Sequence, residues 1–269
     1  MKRIGVVGAS GQLGTSLMRA LGSSGLALNR QSLTTSSLQG IIWAAGSAGA
    51  RCTPLEAHTE LSSIQRVLRE ANFSQISRIV LLSSGGTVYG NNGYLPKKED
   101  DPLEPQSTYA QLKVKVEQEF ETLCRQYGIS LITLRLANVF STRINGLVGT
   151  LLNRTAKGLP FELFVHPNST KQYGHSDDYA QLIIRYLEEI PMELNSQVFN
   201  LYSPNHYSIH DILNIVSRFR HIEVIESLKD NQLPIDSCEL TTKFPDFIQS
   251  HNWLALEDFV QREIERYKE

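Results

Sequence analysis

The chain is poor in cysteine. Cys52, Cys124 and Cys238 are its three cysteines, far apart and odd in number. No CxxC spacing and no Cys/His cluster accompanies them, which excludes a disulfide framework and a zinc site as the basis of the fold. A surplus of charge is missing too. Lys and Arg number 26 against 28 Asp and Glu, a formal net charge of −2. Such a balance gives no general attraction to nucleic acid or to an anionic membrane, so any anionic ligand must be held by local groups. No apolar run is long enough to span a bilayer. The short stretch Ile4–Val7 behind Met1-Lys2-Arg3 is interrupted by Gly5 and is too brief for a signal peptide. Internal repeats and low-complexity segments are absent. These absences lead to the expectation of a cytoplasmic protein with reduced thiols.

What is present is an ordinary globular composition: 269 residues, 41% hydrophobic and 20% charged. Strand and helix patterns alternate from the start. Arg3–Val7, Leu26–Asn29, Gly40–Ala45, Ile76–Ser83, Ser130–Asn138 and Gln197–Leu201 read as strands. Gly11–Leu21, Pro54–Ala71, Ser107–Tyr127, Ser208–Arg218 and Leu256–Tyr267 read as helices. The strands are apolar without alternation, as in a parallel sheet covered on both faces. The expected fold is α/β, a doubly wound parallel-sheet Rossmann domain with a small C-terminal lobe. Residues 1–140, with 176–202 returning to them, form the expected dinucleotide domain, and 141–175 with 203–269 the substrate lobe. The polar stretch Gln31–Gln39 is short where a fuller Rossmann domain has another helix and strand.

Directly after the first strand stands Gly8-Ala-Ser10-Gly11-Gln12-Leu13-Gly14, a GxxGxxG loop entering a helix. Gly8 permits the tight turn, Gly11 lets the backbone approach a pyrophosphate, and Gly14 lets the helix pack on the sheet. The amides of this loop and of the first helical turn then face the phosphates. The second strand ends without the carboxylate that usually binds the ribose hydroxyls of NAD. Arg30 stands there instead and could face a 2′-phosphate, so NADP is favoured over NAD. Ala44 and Ala45 at the end of the third strand, and Ser83 at the end of the fourth, complete the candidate cofactor contacts.

Tyr109-Ala-Gln-Leu-Lys113 is a YxxxK motif near the start of a helix, where residues four apart share a face. A cation beside a phenol eases its deprotonation and makes it a usable acid/base. A second copy, Tyr94 to Lys98, contains Pro96 and is not expected to be helical. Ser83-Ser84-Gly85-Gly86-Thr87-Val88-Tyr89-Gly90 follows the most apolar strand, with hydroxyls placed to meet a substrate oxygen.

In succession, GxxGxxG, SSGGTVYG, YAQLK, Leu134-Arg-Leu-Ala-Asn138-Val-Phe140, Lys171-Gln-Tyr-Gly-His175-Ser-Asp-Asp178 and Val198-Phe-Asn200 resemble the extended short-chain dehydrogenase/reductase family, in its NAD-dependent epimerase/dehydratase branch. The resemblance covers nearly the whole chain in order. It implies that Tyr109 is the acid/base, that Lys113 holds the nicotinamide ribose, and that Ser84, Asn138 and Lys171 contact a nucleotide-linked sugar. It also implies a homodimer built on Pro54–Ala71 and Ser107–Tyr127. Three departures stand out. The second-to-third-strand connection is short. The family's catalytic Ser/Thr position is Gly85, leaving Ser84 or Thr87 to substitute. The acidic pair that dehydratases carry at this point is absent, which disfavours dehydration. A 4-ketoreductase or a 4-epimerase is the leading expectation. The Gly-Gln-Leu-Gly wording of the first loop is similar to that of dTDP-4-keto-sugar reductases and inclines the choice to reduction. A non-enzymatic NADP-binding regulator and a reductase of another small carbonyl compound are the alternatives. His175 with Asp178 has no third ligand spaced for a metal and is read as structural.

Overall fold

The computed structural model describes residues 3–30, 33, 35, 38–90, 95–142, 146–164, 166–193, 196–226 and 237–266. Gln31, Tyr94 and Tyr267, which figure in the expectations above, lie outside the described residues. In chain order the elements are β1 Arg3–Val7, α1 Gln12–Leu21, β2 Gly25–Leu28, β3 Leu38–Trp43, α2 Pro54–Glu70, β4 Arg78–Ser84, α3 Gly85–Val88, α4 Thr108–Tyr127 and β5 Ser130–Leu136. There follow β6 Asn138–Phe140, α5 Gly146–Ala156, β7 Phe161–Leu163, β8 Thr170–His175, α6 Ser176–Glu189, β9 Gln197–Leu201, β10 His206–Ser208, α7 Ile209–Ser217, β11 Val224–Glu226, α8 Pro245–Gln249 and α9 Leu256–Arg266.

Six strands form one sheet in the order β2-β1-β3-β4-β5-β9, and each pairing is parallel. The pleat sends alternate residues to opposite faces. Val7, Ile41, Trp43, Ile79, Leu81 and Leu131 pack on α2 and α4. Val6, Ile42, Val80, Leu82, Ile132 and Leu134 pack on α1 and α6. The fold is therefore the doubly wound Rossmann type, three layers with helices on both faces. A third core, around Phe140, Leu151, Ile212 and Val260, belongs to the later segments.

The strand expected over Ser130–Asn138 is two. β5 stops at Leu136, and β6 leaves the large sheet to pair with β8 in the three-stranded sheet β10-β8-β6. Ala137, between them, donates its N–H to the Leu201 carbonyl at 2.9 Å, and the chain turns there. α6 and β9 then return to the large sheet beside α1 and β5.

Local signals explain the helix starts. A capping box of Thr53 and Glu56, with Pro54 in the first turn, opens α2. Ser107 caps α4 through the Ala110 amide at 3.1 Å. Most apolar positions of α2 and α4 face the sheet, while Leu55, His58, Ser62, Arg66, Gln111, Lys115 and Gln118 are exposed. Among the described residues no helix is long and apolar enough to cross a membrane, and no three His, Cys, Asp or Glu side chains could share a metal ion.

α6 is capped by a titrating side chain. His175 Nδ1 accepts the Asp177 amide at 3.3 Å, a role open only to the neutral ring. Burial holds the His175 pKa below its ordinary value, against the opposing pull of Asp177 and Asp178. The unfolded chain takes up this proton first as pH falls. Stability is therefore complete above the unfolded pKa of about 6.5 and is lost as pH drops through it towards the folded value. Between pH about 7 and about 5 the wild type should lose more melting temperature than His175→Asn, which caps without titrating. Parallel losses in the two proteins would reject this role.

Candidate functional site

The glycine loop is closed to side chains by its own backbone. Gly8 has φ +88°, and a Cβ there would lie 2.7 Å from the Ala45 amide nitrogen. A Cβ on Gly14 would lie 1.9 Å from the Gly8 carbonyl oxygen. Ala44 donates its N–H to the Val7 carbonyl at 2.9 Å, which ties the ends of β1 and β3 together. Gly11 caps α1 with no side-chain hydrogen bond, and the first turn holds no acid. The helix end that meets the loop thus keeps unpaired amides and its positive dipole end for an anion, unlike α2. Ser10 is exposed at the loop. Gln12 instead turns to the Val139 carbonyl at 3.2 Å, and Leu13 packs on the core beneath α1. For these two residues only the backbone is left to meet a phosphate.

Tyr109 and Lys113 meet Ala45, Gly46, Ala48 and Glu60 around a cavity of about 20 Å³, room for little more than one water. The Lys113 ammonium lies 5.7 Å from the Tyr109 ring centroid and donates to the Leu82 carbonyl at 3.5 Å. β4 thereby presents its carboxyl end to both residues. A cleft of about 1550 Å³ adjoins, running from Asn29 and Arg30 past Ser47–Cys52 to Leu147, Arg154 and Phe164. Ala48 and Glu60 line both spaces. Arg51, from the loop after β3, stacks over the Phe164 ring at 4.4 Å and reaches across to the β7 side.

The remaining candidates are distributed as follows. The Ser83 hydroxyl donates to Glu117 on α4 rather than towards the cavity. Thr87 donates its hydroxyl to Ser84 Oγ at 3.0 Å, so the Ser84 proton is left for an outside acceptor. Asn138 spends its amide on the Gln172 carbonyl at 3.3 Å. Lys171 sits in β8, in register with Tyr207 of β10 and bridged to Cys238. Gly85 has a steric cause: a Cβ there would lie 2.4 Å from Leu240 Cδ1 and 2.9 Å from the Arg135 carbonyl oxygen. Leu240 thus takes the room that a hydroxyl-bearing side chain at this position needs.

Arg30 lines the cleft, and its guanidinium is paired with Glu60 at 2.8 Å, so a 2′-phosphate there competes with a buried carboxylate. Glu60, Glu117 and Leu240 were not anticipated from the sequence. Glu60 had one usable signal, a carboxylate on the apolar stripe of α2 among Ala57, Ile64, Val67 and Leu68.

Residues 41–202 match the model of a family described as the NAD dependent epimerase/dehydratase family. A putative UDP-glucose 4-epimerase of Methanocaldococcus jannaschii is 27% identical over 146 residues, 52% of this chain and 46% of that protein. A dTDP-4-dehydro-6-deoxyglucose reductase of Escherichia coli is 28% identical over 144 residues, 52% of this chain and 44% of that protein. The matched stretch is under half the length of either relative. Among solved structures, the UDP-glucose 4-epimerase of Thermotoga maritima superposes with a TM-score of 0.80 at 18% identity, over 99% of this chain and 98% of that one. The UDP-glucuronic acid 4-epimerase of Bacillus cereus, in complex with UDP-glucuronic acid and NAD, gives 0.81 at 16% identity over 99% of each chain. At such identities the likeness speaks for the fold.

Proposed function

The chain belongs to the NAD dependent epimerase/dehydratase family, and from that membership we propose that it catalyses hydride transfer between a nicotinamide dinucleotide and C4 of a nucleotide-linked sugar, as a 4-ketoreductase or a 4-epimerase. The observation that carries the reading is the convergence of Tyr109 and Lys113 with Ala45 and Gly46, beside a cleft lined from the end of β2 to β7. The residues fit such a cofactor. The uncapped start of α1 and the loop closed at Gly8 and Gly14 leave backbone amides for a pyrophosphate. A bound nicotinamide supplies the hydride donor or acceptor. Tyr109 supplies the proton chemistry, taking a proton from the sugar hydroxyl or returning one to a keto oxygen. Lys113, anchored on the Leu82 carbonyl, keeps a positive charge beside that phenol. Ser84, whose oxygen already accepts from Thr87, has its hydrogen available to polarise the substrate oxygen. The stretch Ser84-Gly85-Gly86-Thr87 holds no acid, which disfavours the expulsion of water from the sugar.

The contact of Gly85 with Leu240 favours a second reading, a dinucleotide binder without turnover. Mass spectrometry of ligands retained by the purified protein, followed by assays on a nucleotide 4-keto-sugar and on UDP-hexoses, separates the two. Retained or added dinucleotide with consumption of the keto-sugar, or with inversion at C4, is the expected result. A bound dinucleotide with neither reaction supports the binder.

A further inference from the structure

Glu60 is a carboxylate where α2 should be apolar. It is 4% exposed, and each group that holds it comes from a different corner of the cleft. Arg30, just past β2, pairs with Oε1 at 2.8 Å and reaches the Glu60 carbonyl at 3.4 Å. Ser47, in the loop after β3, gives Oε2 its N–H at 3.1 Å and its hydroxyl as well. Oε1 has the ion pair but no hydrogen bond of good geometry. The Arg30 side chain is 21% exposed, against 3% for Glu60, so the cation borders the cleft and the anion lies behind it.

We propose that Glu60 sets the cofactor preference of this site, selecting NAD over NADP by neutralising Arg30. The assignment rests on the dinucleotide reading above. A 2′-phosphate at the end of β2 competes with Glu60 for the guanidinium, and a carboxylate this deeply buried cannot be rehydrated in exchange. The phosphate dianion also meets the Glu60 charge at short range in a poorly hydrated place. A ribose hydroxyl makes no such demand. Two other cations line the cleft on the side of β7. Arg51 is stacked on Phe164, and Arg154 is bonded to the Pro160 carbonyl. Glu56 and Glu162 line the same space. The preference thus comes from a carboxylate on the helix after β3, where the sequence offers none at the end of β2.

NADH and NADPH are titrated separately, by reduced-nicotinamide fluorescence, into wild type, Glu60→Gln, Arg30→Gln and the double variant. Wild type should bind NADH at least about tenfold more tightly than NADPH. Glu60→Gln should narrow that ratio by about tenfold or more through gained NADPH affinity, and adding Arg30→Gln should abolish the gain. Arg30→Gln alone bares the Glu60 charge and should lower NADPH affinity, widening the ratio. Wild type binding NADPH as tightly as NADH overturns the assignment, as does a ratio unmoved by Glu60→Gln. Should Glu60→Gln fail to fold, the double variant is read against Arg30→Gln: NADPH bound no more tightly by the double variant overturns the assignment. If wild type binds neither nucleotide, the dinucleotide reading falls and the assignment with it. Both nucleotides bound with an unmoved ratio defeats the assignment alone.

Discussion

Tyr109→Phe is expected to lower turnover on a nucleotide 4-keto-sugar by at least about 10²–10⁴-fold and to leave dinucleotide affinity almost unchanged. The change deletes one oxygen and keeps the ring beside Lys113, whose ammonium remains anchored on the Leu82 carbonyl. What disappears is the only proton carrier this reading places at the sugar C4 oxygen. Steady-state rates with saturating keto-sugar, alongside a dinucleotide titration, give the two numbers. A variant within a few-fold of wild type would remove Tyr109 from the mechanism. Ser84→Ala should cost less, about 10–100-fold, because its hydroxyl only orients and polarises the substrate oxygen.

Glu117→Ala is expected to destabilise the protein by about 3–5 kcal/mol, read by chemical denaturation. Arg135 of β5 and Glu117 of α4 pair at 2.8 Å with side chains 7% and 11% exposed. Burial works against the Arg135 charge, and Glu117, helped by Tyr89, more than offsets it and holds the guanidinium pKa above its ordinary value. Removing the carboxylate strands that cation, and the Ser83 hydroxyl loses its acceptor too. Arg135 keeps Tyr89 at 2.9 Å and the Glu99 carbonyl at 3.2 Å, neither of which carries a compensating charge. Glu117→Leu combined with Arg135→Met should recover most of the loss, since neither charge is then left alone. A cost below about 1 kcal/mol for Glu117→Ala would show that water reaches the pair. Glu117 lies on the same face of α4 as Tyr109 and Lys113, at successive intervals of four residues. The ion pair that secures the helix therefore also fixes the phenol over the end of β4.

Much of this was written in the chain. β4 carries the apolar run Ile79–Leu82, β5 is apolar but for Ser130, Thr133 and Arg135, and α4 is bracketed by Ser107 and Gly128, so the large sheet and the helices α1, α2 and α4, though not α6, were legible from hydrophobic pattern and caps. The three-residue strands β6, β7, β10 and β11 were not. A stretch so short has no period to read, and its pairing is chosen by distant partners. α3 escaped for a related reason. Gly85 and Gly86 have poor helix propensity, and the turn exists because the chain must clear Arg135 and Leu240. In the site, Tyr109 and Lys113 announced themselves by a fixed interval within one helix. The partner of Arg30 could not, because Glu60 meets it only after the chain crosses β1 to reach β3 and α2 comes back against the end of β2.

The return of α6 and β9 to the large sheet also bears on how the chain is made. A parallel pair cannot be joined by a hairpin, so each ladder of this sheet waits for a long loop to close. β9 is the extreme case, because everything from β6 through α6 must be traversed before Gln197 can meet Ile132. During synthesis β5 therefore emerges with one edge unpaired, an apolar strand open to any other extended chain. α6 arrives first and covers the face of that strand through Ala180 and Ile183. Edge closure comes last, so the interval between the exit of Leu136 and that of Leu201 is when the nascent protein is most exposed to mispairing with its neighbours.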